Sequence, residues 1–378
     1  MRGDGRPLRI GLNAMYWIPD GMGGTQTYFL RLLEALLRAD RDHEYVVFVN
    51  ADGADRLPVR SARLRVEACP VPGTLRPARL LWEQWEVPRR AARLQLDLVH
   101  SLGYLAPGGL RMPSVVTVLD MIHYIHPDQI EPLKRGLWRV LFPRSLRRAR
   151  RVIAISESVK RDIVRFFPWA GPKVTAVPLG VDRQLFSPAP EGSVRASGEP
   201  PFVLGVASPA PHKNVDGLLR AFALAADAVP GLRLRLAGMV TRTTEALAGL
   251  AESLGLAGRV EFTGRVDDAA LAELYRQAAV MVFPSRYEGF GLPALEAMAC
   301  GCPVIASDRA SLPEVVGDAA LRVDPDDVEA MAAALRRVLG DAGLRSELRR
   351  RGLARAAGLS WDLTAERTLA VYAAAVNA

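Results

Sequence analysis

The most informative part of the sequence is residues 283–307, Phe283-Pro-Ser-Arg-Tyr-Glu-Gly-Phe-Gly-Leu-Pro-Ala-Leu-Glu-Ala-Met-Ala-Cys-Gly-Cys-Pro-Val-Ile-Ala-Ser307. Its pattern predicts a strand, a glycine-bearing loop, a helix and a second strand. Gly289 and Gly291 let backbone N–H groups approach a ligand, and Pro293 suits the first turn of a helix. Because a helix N-terminus carries free N–H groups and a positive dipole end, the segment predicts a site for phosphate oxygens.

Two glutamates flank this loop. Glu296 lies about one turn into the predicted helix, where its carboxylate can accept hydrogen bonds from ribose hydroxyls. Glu288 precedes the loop and can reach a sugar ring. By spacing alone, a helix-capping or solvated glutamate is as compatible with this pattern as one that binds a ligand.

Strands and helices alternate on both sides of this segment. In the first half, buried strands are predicted at residues 8–14, 45–50, 96–101, 115–119 and 151–156, with helices at 25–38 and 157–167. In the second half, strands are predicted at 202–207, 232–237, 260–263, 280–283 and 304–306, with a helix through 218–226. This alternation predicts an α/β fold of two doubly wound, Rossmann-like domains facing a central cleft, with ligands bound beyond the carboxyl ends of the strands.

The length of 378 residues favours two domains, because one hydrophobic core rarely organises so long a chain. Residues 187–200 are rich in Ser, Pro, Ala, Glu and Gly and lack periodicity, which is typical of a linker. The expected domains are therefore 1–186 and 201–360, with a last helix at 361–378.

Composition indicates an ordinary globular protein, with 49% hydrophobic and 24% charged residues. No run of eighteen apolar residues occurs, the first residues lack the apolar core of a signal peptide, and the three cysteines do not suggest a disulfide framework. These features predict a cytoplasmic location.

The positive charge is concentrated in the first half. Residues 1–190 hold 29 Lys and Arg against 18 Asp and Glu, whereas the rest of the chain is slightly acidic. Residues 134–151 contain eight basic and no acidic residues, interleaved with apolar ones. This pattern predicts docking on an anionic membrane surface, and the alternative is a helix that packs on its own sheet with solvated charges.

The segment from Glu288 to Ser307 resembles the donor-binding signature of the family 4 glycosyltransferases, the retaining GT-B group. The resemblance covers nearly the whole chain, and its further motifs are Gly23-Gly24, Ile153-Ala-Ile-Ser156, Pro178-Leu-Gly-Val-Asp182, His212-Lys-Asn214, Gly264-Arg265, Leu274-Tyr275, Leu312-Pro-Glu-Val315 and Ser360-Trp361.

This resemblance implies a set of residue roles. Glu288 would contact the transferred sugar, and Glu296 would bind the ribose. Lys213 and Arg265 would neutralise the donor diphosphate, without a metal or other cofactor. Backbone groups near the donor would come from Gly23, Gly24, Gly289, Phe290, Gly291 and Leu292. The last helix would cross back onto the first domain.

The sequence departs from the family pattern at two places. His212 stands where many relatives have an arginine, which weakens charge neutralisation near the phosphates. Leu119 replaces the histidine that meets the donor sugar near its 6-hydroxyl, which would suit a 6-deoxy sugar. Asp120 is retained, and it and His123 are candidate catalytic residues, although His123 could instead be a satisfied loop histidine.

The predicted function is a retaining hexosyltransferase that moves a sugar, mannose or a 6-deoxy sugar, from a nucleotide-diphosphate donor to a glycan or lipid-linked acceptor in polysaccharide biosynthesis. Its expected partners are the nucleotide sugar, the acceptor and the inner face of the membrane, with no nucleic acid. The alternatives are a nucleotide-sugar epimerase of the same architecture, and a non-enzymatic protein that binds nucleic acid through its basic first half.

Overall fold

The computed structural model describes residues 6–19, 21, 23–190 and 200–377. The chain divides into two compact units: unit 1 contains the residues up to Leu179 together with those from Trp361 onward, and unit 2 contains Gly180–Ser360. The division therefore falls before residue 186, the expected end of the first domain. Much of the predicted linker, residues 191–199, lies outside the described residues.

Unit 1 is built on a parallel sheet of seven strands in the order β3-β2-β1-β4-β5-β6-β7. The strands are β1 Arg9–Asn13, β2 Glu44–Val49, β3 Leu64–Ala68, β4 Leu98–Ser101, β5 Ser114–Val118, β6 Arg151–Ala154 and β7 Val174–Ala176. The helices are α1 Gly24–Ala39, α2 Arg76–Arg93, α3 Ile122–Ile125, α4 Pro132–Arg148, α5 Glu157–Phe166 and α13 Trp361–Val376.

Unit 2 is built on a second parallel sheet, of six strands in the order β10-β9-β8-β11-β12-β13. The strands are β8 Phe202–Val206, β9 Arg233–Ala237, β10 Val260–Gly264, β11 Val280–Phe283, β12 Val304–Ser307 and β13 Leu321–Val323. The helices are α6 Val215–Ala225, α7 Arg242–Ser253, α8 Asp268–Gln277, α9 Leu292–Ala299, α10 Leu312–Val316, α11 Val328–Gly340 and α12 Ala342–Ala357.

The strands form because their apolar runs are buried on both faces, as parallel sheets covered by helices require. In β5 and β11 every residue is buried. The unit 2 core is one cluster from the sheet and its covering helices, including Leu219 and Phe222 of α6 and Leu335 of α11. The predicted α/β class with two Rossmann-like sheets is confirmed.

Several elements differ from expectation. Strands β3 and β7 were not predicted, because the residues of β3 are mostly half-exposed or exposed and β7 has only three residues. Helix α2 was also not predicted, and it contains Pro88. Helix α4 continues through Pro143, a residue type that usually interrupts a helix.

Each sheet has a point where the strand order reverses, between β1 and β4 in unit 1 and between β8 and β11 in unit 2. Ligands bind to doubly wound sheets at these points, beyond the carboxyl ends of the strands. The site residues predicted from the sequence all lie in the loops that follow β1, β5, β8, β10 and β11 or in the helices that begin directly after these loops.

Candidate active site

The loop between β11 and α9 is held in a conformation that requires glycine. Gly291, the N-cap of α9, has a φ of 115°, and a Cβ atom there would lie 2.6 Å from Cδ2 of Leu312. The hydroxyl of buried Ser311 lies 3.0 Å from the carbonyl oxygen of Glu288 and 2.6 Å from that of Phe290, so it can donate to either. The loop therefore presents the α9 N-terminus in a fixed position.

Lys213 and Glu288 contact each other directly. The Lys213 Nζ donates to the Glu288 Oε1 at 2.7 Å, and the side chains are only 21% and 11% exposed. Two residues that the resemblance assigned to the diphosphate and to the sugar are thus brought together across the switch point between β8 and β11.

Asn214 fixes the turn that carries Lys213. Its backbone is left-handed with a φ of 56°, its side chain is fully buried, and Nδ2 donates to the carbonyl oxygens of Pro284 at 3.2 Å and Pro325 at 2.6 Å. The turn is therefore tied to the end of β11 and to the loop after β13. No role was predicted for Asn214 or Ser311, although Asn214 lies in the His212-Lys-Asn214 motif and Ser311 directly precedes another motif.

Glu296 is oriented by Tyr275. The Tyr275 hydroxyl donates to Oε2 of Glu296 at 3.1 Å, and the Tyr275 ring is completely buried. Burial, followed by the charge of Glu296, raises the pKa of Tyr275 well above its ordinary value, so the hydroxyl stays a donor. Tyr275 belongs to the Leu274-Tyr275 motif, which gave no indication of this contact.

A pocket adjoins Lys213 along the carboxyl ends of β8, β9 and β10. Its walls are mainly apolar, and they include Met239, Leu247 and Phe262. Gly264 lines it as well, and the side chain of Arg265, the next residue, is exposed. Pockets of this kind accept flat or apolar ligand groups beside a charged one.

The loop after β13 carries acidic side chains that are paired with arginines. Asp326 accepts hydrogen bonds from Arg286 and Arg309, which lower its pKa, and Arg309 also binds Asp324. In the part of the chain that the structure describes, no group of three or more His, Cys, Asp or Glu side chains could hold a metal ion.

In unit 1, Gly23 and Gly24 begin α1 directly after β1 and its loop. Gly23 has a φ of 112°, and no atom lies within 4 Å of a Cβ built on either residue. The first turn of α1 is therefore uncovered on this side, although the neighbouring residues 20 and 22 lie outside the described part.

Asp120 and His123 follow β5 and adjoin an aromatic cluster. Asp120 accepts hydrogen bonds from the Tyr104 hydroxyl at 2.6 Å and the Ile122 N–H at 3.0 Å. The His123 ring stacks on Trp138 with centroids 4.0 Å apart, and its buried Nε2 has no hydrogen-bond partner among the described residues. Burial lowers the pKa of His123 against the opposing charge of Asp120, so the ring is held in its neutral form.

A buried polar group at the ends of β1 and β4 was missed from the sequence. Asn13 Nδ2 donates to Oε1 of Glu83 at 2.8 Å and lies 3.4 Å from the hydroxyl of Ser101. Burial raises the pKa of Glu83. Glu83 belongs to α2, the helix that was not predicted, so nothing in the pattern related it to Asn13.

Comparisons with known proteins show the family of the chain. Residues 191–355 match the family Glycosyl transferases group 1, and residues 22–185 match Glycosyltransferase Family 4. The chain is 30% identical to O-antigen chain mannosyltransferase B of Escherichia coli, over 92% of this chain and 95% of that protein. It is 33% identical to D-inositol 3-phosphate glycosyltransferase of Actinosynnema mirum, over 93% and 92%.

Among solved structures, sucrose-phosphate synthase of Thermosynechococcus elongatus is similar to this chain with a TM-score of 0.78 and 25% identity. The match covers 97% of this chain and 98% of that one. Both halves of the sequence, and the fold of both units, thus agree with the same class of enzyme. The chain belongs to the group 1 glycosyltransferases of family 4, and it is a GT-B glycosyltransferase.

Proposed function

We propose that this enzyme transfers a sugar from a nucleotide-diphosphate donor to a hydroxyl of a glycan or lipid-linked acceptor, with retention of configuration and without a metal. The observation that carries the proposal is the convergence of Lys213, Glu288 and the α9 N-terminus at the switch point of unit 2. These groups match the charges of a nucleotide sugar, with a cation and helix N–H groups for the diphosphate and a carboxylate for sugar hydroxyls.

In this proposal different residues of unit 2 bind the diphosphate, the ribose and the transferred sugar of the donor. Lys213 and the N–H groups of 289–292 stabilise the negative charge that develops on the leaving diphosphate, and Arg265 adds to this. Glu296, oriented by Tyr275, accepts hydrogen bonds from the ribose. Glu288 exchanges its contact with Lys213 for the transferred sugar when the phosphate binds.

The transition state carries positive charge on the sugar ring and negative charge on the diphosphate. A phosphate oxygen of the donor accepts the proton of the acceptor hydroxyl, so the reaction needs no protein base. In unit 1, we propose that Gly23 and Gly24 let the backbone approach the donor phosphate or the acceptor closely. Asp120 and His123 are assigned to contacts with the reacting sugars. The neutral form of His123 suits hydrogen bonding rather than charge stabilisation.

For the donor sugar we propose mannose or a 6-deoxy sugar. The Escherichia coli relative is named as a mannosyltransferase, which supports mannose. Leu119, which is 6% exposed, offers no hydrogen bond to a 6-hydroxyl, which supports a 6-deoxy sugar. Comparing kcat/KM for GDP-mannose and its 6-deoxy analogue separates the two, since equal or faster transfer of the 6-hydroxylated sugar excludes a preference for the 6-deoxy one.

We also propose that the enzyme works at the inner face of a membrane, held there by α4. Leu133, Leu137 and Val140 of this helix are 88%, 47% and 47% exposed, at a spacing that places them along one side. Among the described helices, none is long and apolar enough to cross a bilayer. Cosedimentation with anionic vesicles is expected to fall when Leu133 and Leu137 are both changed to Ser, and unchanged cosedimentation would exclude this role of α4.

The donor site is tested by thermal-shift titration with GDP, UDP, dTDP and ADP, using wild type, Glu296→Gln and Glu273→Gln. Glu273 is a matched control because it is a solvent-exposed glutamate of the same unit, on α8. We expect one nucleotide to raise the melting temperature of wild type and of the control, and to raise that of Glu296→Gln much less. No response of wild type to any nucleotide would contradict the proposal.

A further inference from the structure

A groove lined by arginines lies at the amino ends of strands in the unit 1 sheet. The predicted site residues of this unit follow the carboxyl ends, at the other side of the sheet. Ser114 and Arg151, which begin β5 and β6, line the groove together with Lys173, which directly precedes β7. Its charged lining is Arg111, Arg147, Arg148, Arg150, Arg151 and Lys173. We call this feature the arginine groove. Since β5 has five residues at about 3.3 Å each, the groove is roughly 15 Å from the strand ends that carry Asp120.

No carboxylate of the described residues neutralises the charges of the arginine groove. No Asp or Glu lines it, and no ion pair with a carboxylate is found for any of its five arginines among the described residues. Arg111, Arg147, Arg148 and Arg150 are exposed. Grouping five like charges is unfavourable for the folded state, so the fold itself does not account for them.

Lys173 differs from the arginines because contacts within unit 1 account for the position of its charge. Its Nζ donates to the carbonyl oxygens of Arg147 and Ala149, each at 3.0 Å, and so caps the C-terminal end of α4. Burial lowers its pKa, which agrees with a structural position. Among the arginines, Arg151 donates to the carbonyl oxygen of Arg150 at 3.3 Å, whereas the guanidinium groups of the other four are left for a ligand.

Trp169 orders one wall of the groove. Its ring is 41% exposed, and the guanidinium carbon of Arg147 lies 4.9 Å from the ring centroid. The Lys173 Nζ lies 5.6 Å from the same centroid. These cation–π contacts restrict the Arg147 side chain, so less conformational entropy is lost when an anion binds.

We propose that the arginine groove binds clustered phosphate groups, at a site separate from that of the nucleotide sugar. Guanidinium groups present paired N–H donors that match phosphate oxygens, and several of them together favour an anion with more than one phosphate. Two sources supply such groups, a soluble pyrophosphate-type anion and the neighbouring headgroups of an anionic membrane. The proposal goes beyond glycosyl transfer and does not depend on the donor site.

The binding site is tested by calorimetric titration with inorganic pyrophosphate. The groove variant is Arg111→Gln with Arg150→Gln, and the matched control is Arg41→Gln with Arg93→Gln, which removes the same charge from exposed positions of unit 1 outside both the groove and α4. Because Lys213 is assigned to a donor phosphate, the titrations are repeated in a Lys213→Gln background.

We expect pyrophosphate affinity to fall roughly tenfold or more in the groove variant and to change less than about twofold in the control. Absence of saturable pyrophosphate binding by the wild type, or equal weakening in both variants, would overturn the proposal. The thermal shift caused by a nucleotide is measured on the same samples, so failure of this site is distinguishable from failure of the donor site.

Vesicles identify the source of the phosphates. Binding is compared for vesicles of phosphatidylcholine alone and with added phosphatidylglycerol. Loss of binding to the anionic vesicles in the groove variant, with retention in the control, supports the site and assigns it to lipid headgroups. Unchanged vesicle binding beside weakened pyrophosphate binding supports the site and assigns it to a soluble anion.

Discussion

The contact between Lys213 and Glu288 bears directly on how the donor site recognises its ligand. If Lys213 binds phosphate, Lys213→Met weakens the affinity for a nucleoside diphosphate by roughly 10- to 100-fold, because a charge-assisted hydrogen bond contributes about 1.5–3 kcal/mol. The affinity for the corresponding nucleoside, which has no phosphate, is expected to stay the same. Calorimetry with both ligands checks this, and an equal loss for the nucleoside would mean that Lys213 only holds the loop.

His100 makes the stability of unit 1 depend on pH. It is fully buried, 2.6 Å from the Tyr372 hydroxyl and 2.7 Å from that of Thr117, and burial lowers its pKa to about 3. Since the unfolded chain has a pKa near 6.5 at this residue, only the unfolded state takes up a proton as the pH falls below that value. The stabilising contribution is present above pH 6.5 and declines on acidification.

We therefore expect the free energy of unfolding of unit 1 to lose about 2 kcal/mol between pH 7 and 5 from this residue. Urea unfolding of wild type and His100→Gln at both pH values measures the difference. The variant should be less stable at pH 7 but should lose less on acidification. The same pH dependence in both proteins would show that another group is responsible.

At the scale of elements, the start of α9 depends on one glycine. Gly291→Ala places a Cβ against Leu312 and puts a non-glycine residue at a φ of 115°, which costs roughly 1–3 kcal/mol. We expect a lower melting temperature of unit 2 and loss of its response to nucleotide.

Gly249→Ala is the matched control for Gly291→Ala, because Gly249 is an exposed residue of α7 and a Cβ atom added there would have no other atom within 4 Å. This change should raise stability by about 0.5–1 kcal/mol, since alanine is the better helix former. If Gly291→Ala kept the melting temperature and the nucleotide response of wild type, the loop would not need its glycine.

The sequence predicted elements well where local pattern and tertiary position agree. The loop from Glu288 and the helix after it were predicted because glycine, proline and apolar periodicity are all local signals. Contacts between segments that are distant in the sequence could not be predicted, because they leave no local pattern. The buried amide of Asn214 bonds to carbonyl oxygens 70 and 111 positions away, and Glu83 meets Asn13 across 70 positions.

At the scale of the whole chain, unit 1 is discontinuous in sequence. Its last helix, α13, packs on α1 and the sheet, with Trp361 beside Tyr28 and the Tyr372 hydroxyl bonded to His100. The helix predicted at 361–378 from the family resemblance thus contributes residues to the core of unit 1. The residues assigned to the nucleotide and the diphosphate, apart from Gly23 and Gly24, belong to unit 2, whereas those assigned to the sugars include Leu119, Asp120 and His123 of unit 1.

Deleting residues 361–378 should therefore unfold unit 1 selectively. We expect the thermal transition of unit 1 to disappear while unit 2 keeps its own transition and its response to nucleotide. Asp362→Asn, which removes only the exposed ion pair with Arg38, should change stability by no more than about 1 kcal/mol. Calorimetry with limited proteolysis checks both, and simultaneous loss of both transitions would contradict independent cores.

The discontinuity of unit 1 also has a consequence for biosynthesis. Domains usually fold in the order in which they leave the ribosome. Here residues 180–360 are contiguous and can bury their core while the chain is still attached to the ribosome, whereas unit 1 lacks α13 until residues 361–376 have been made, after the whole of unit 2. At roughly 5–20 residues per second, the wait lasts on the order of ten seconds or more. During that time the surface of unit 1 that α13 will cover is exposed to chaperones. Unit 1, most of which is synthesised before unit 2, therefore completes its core after unit 2.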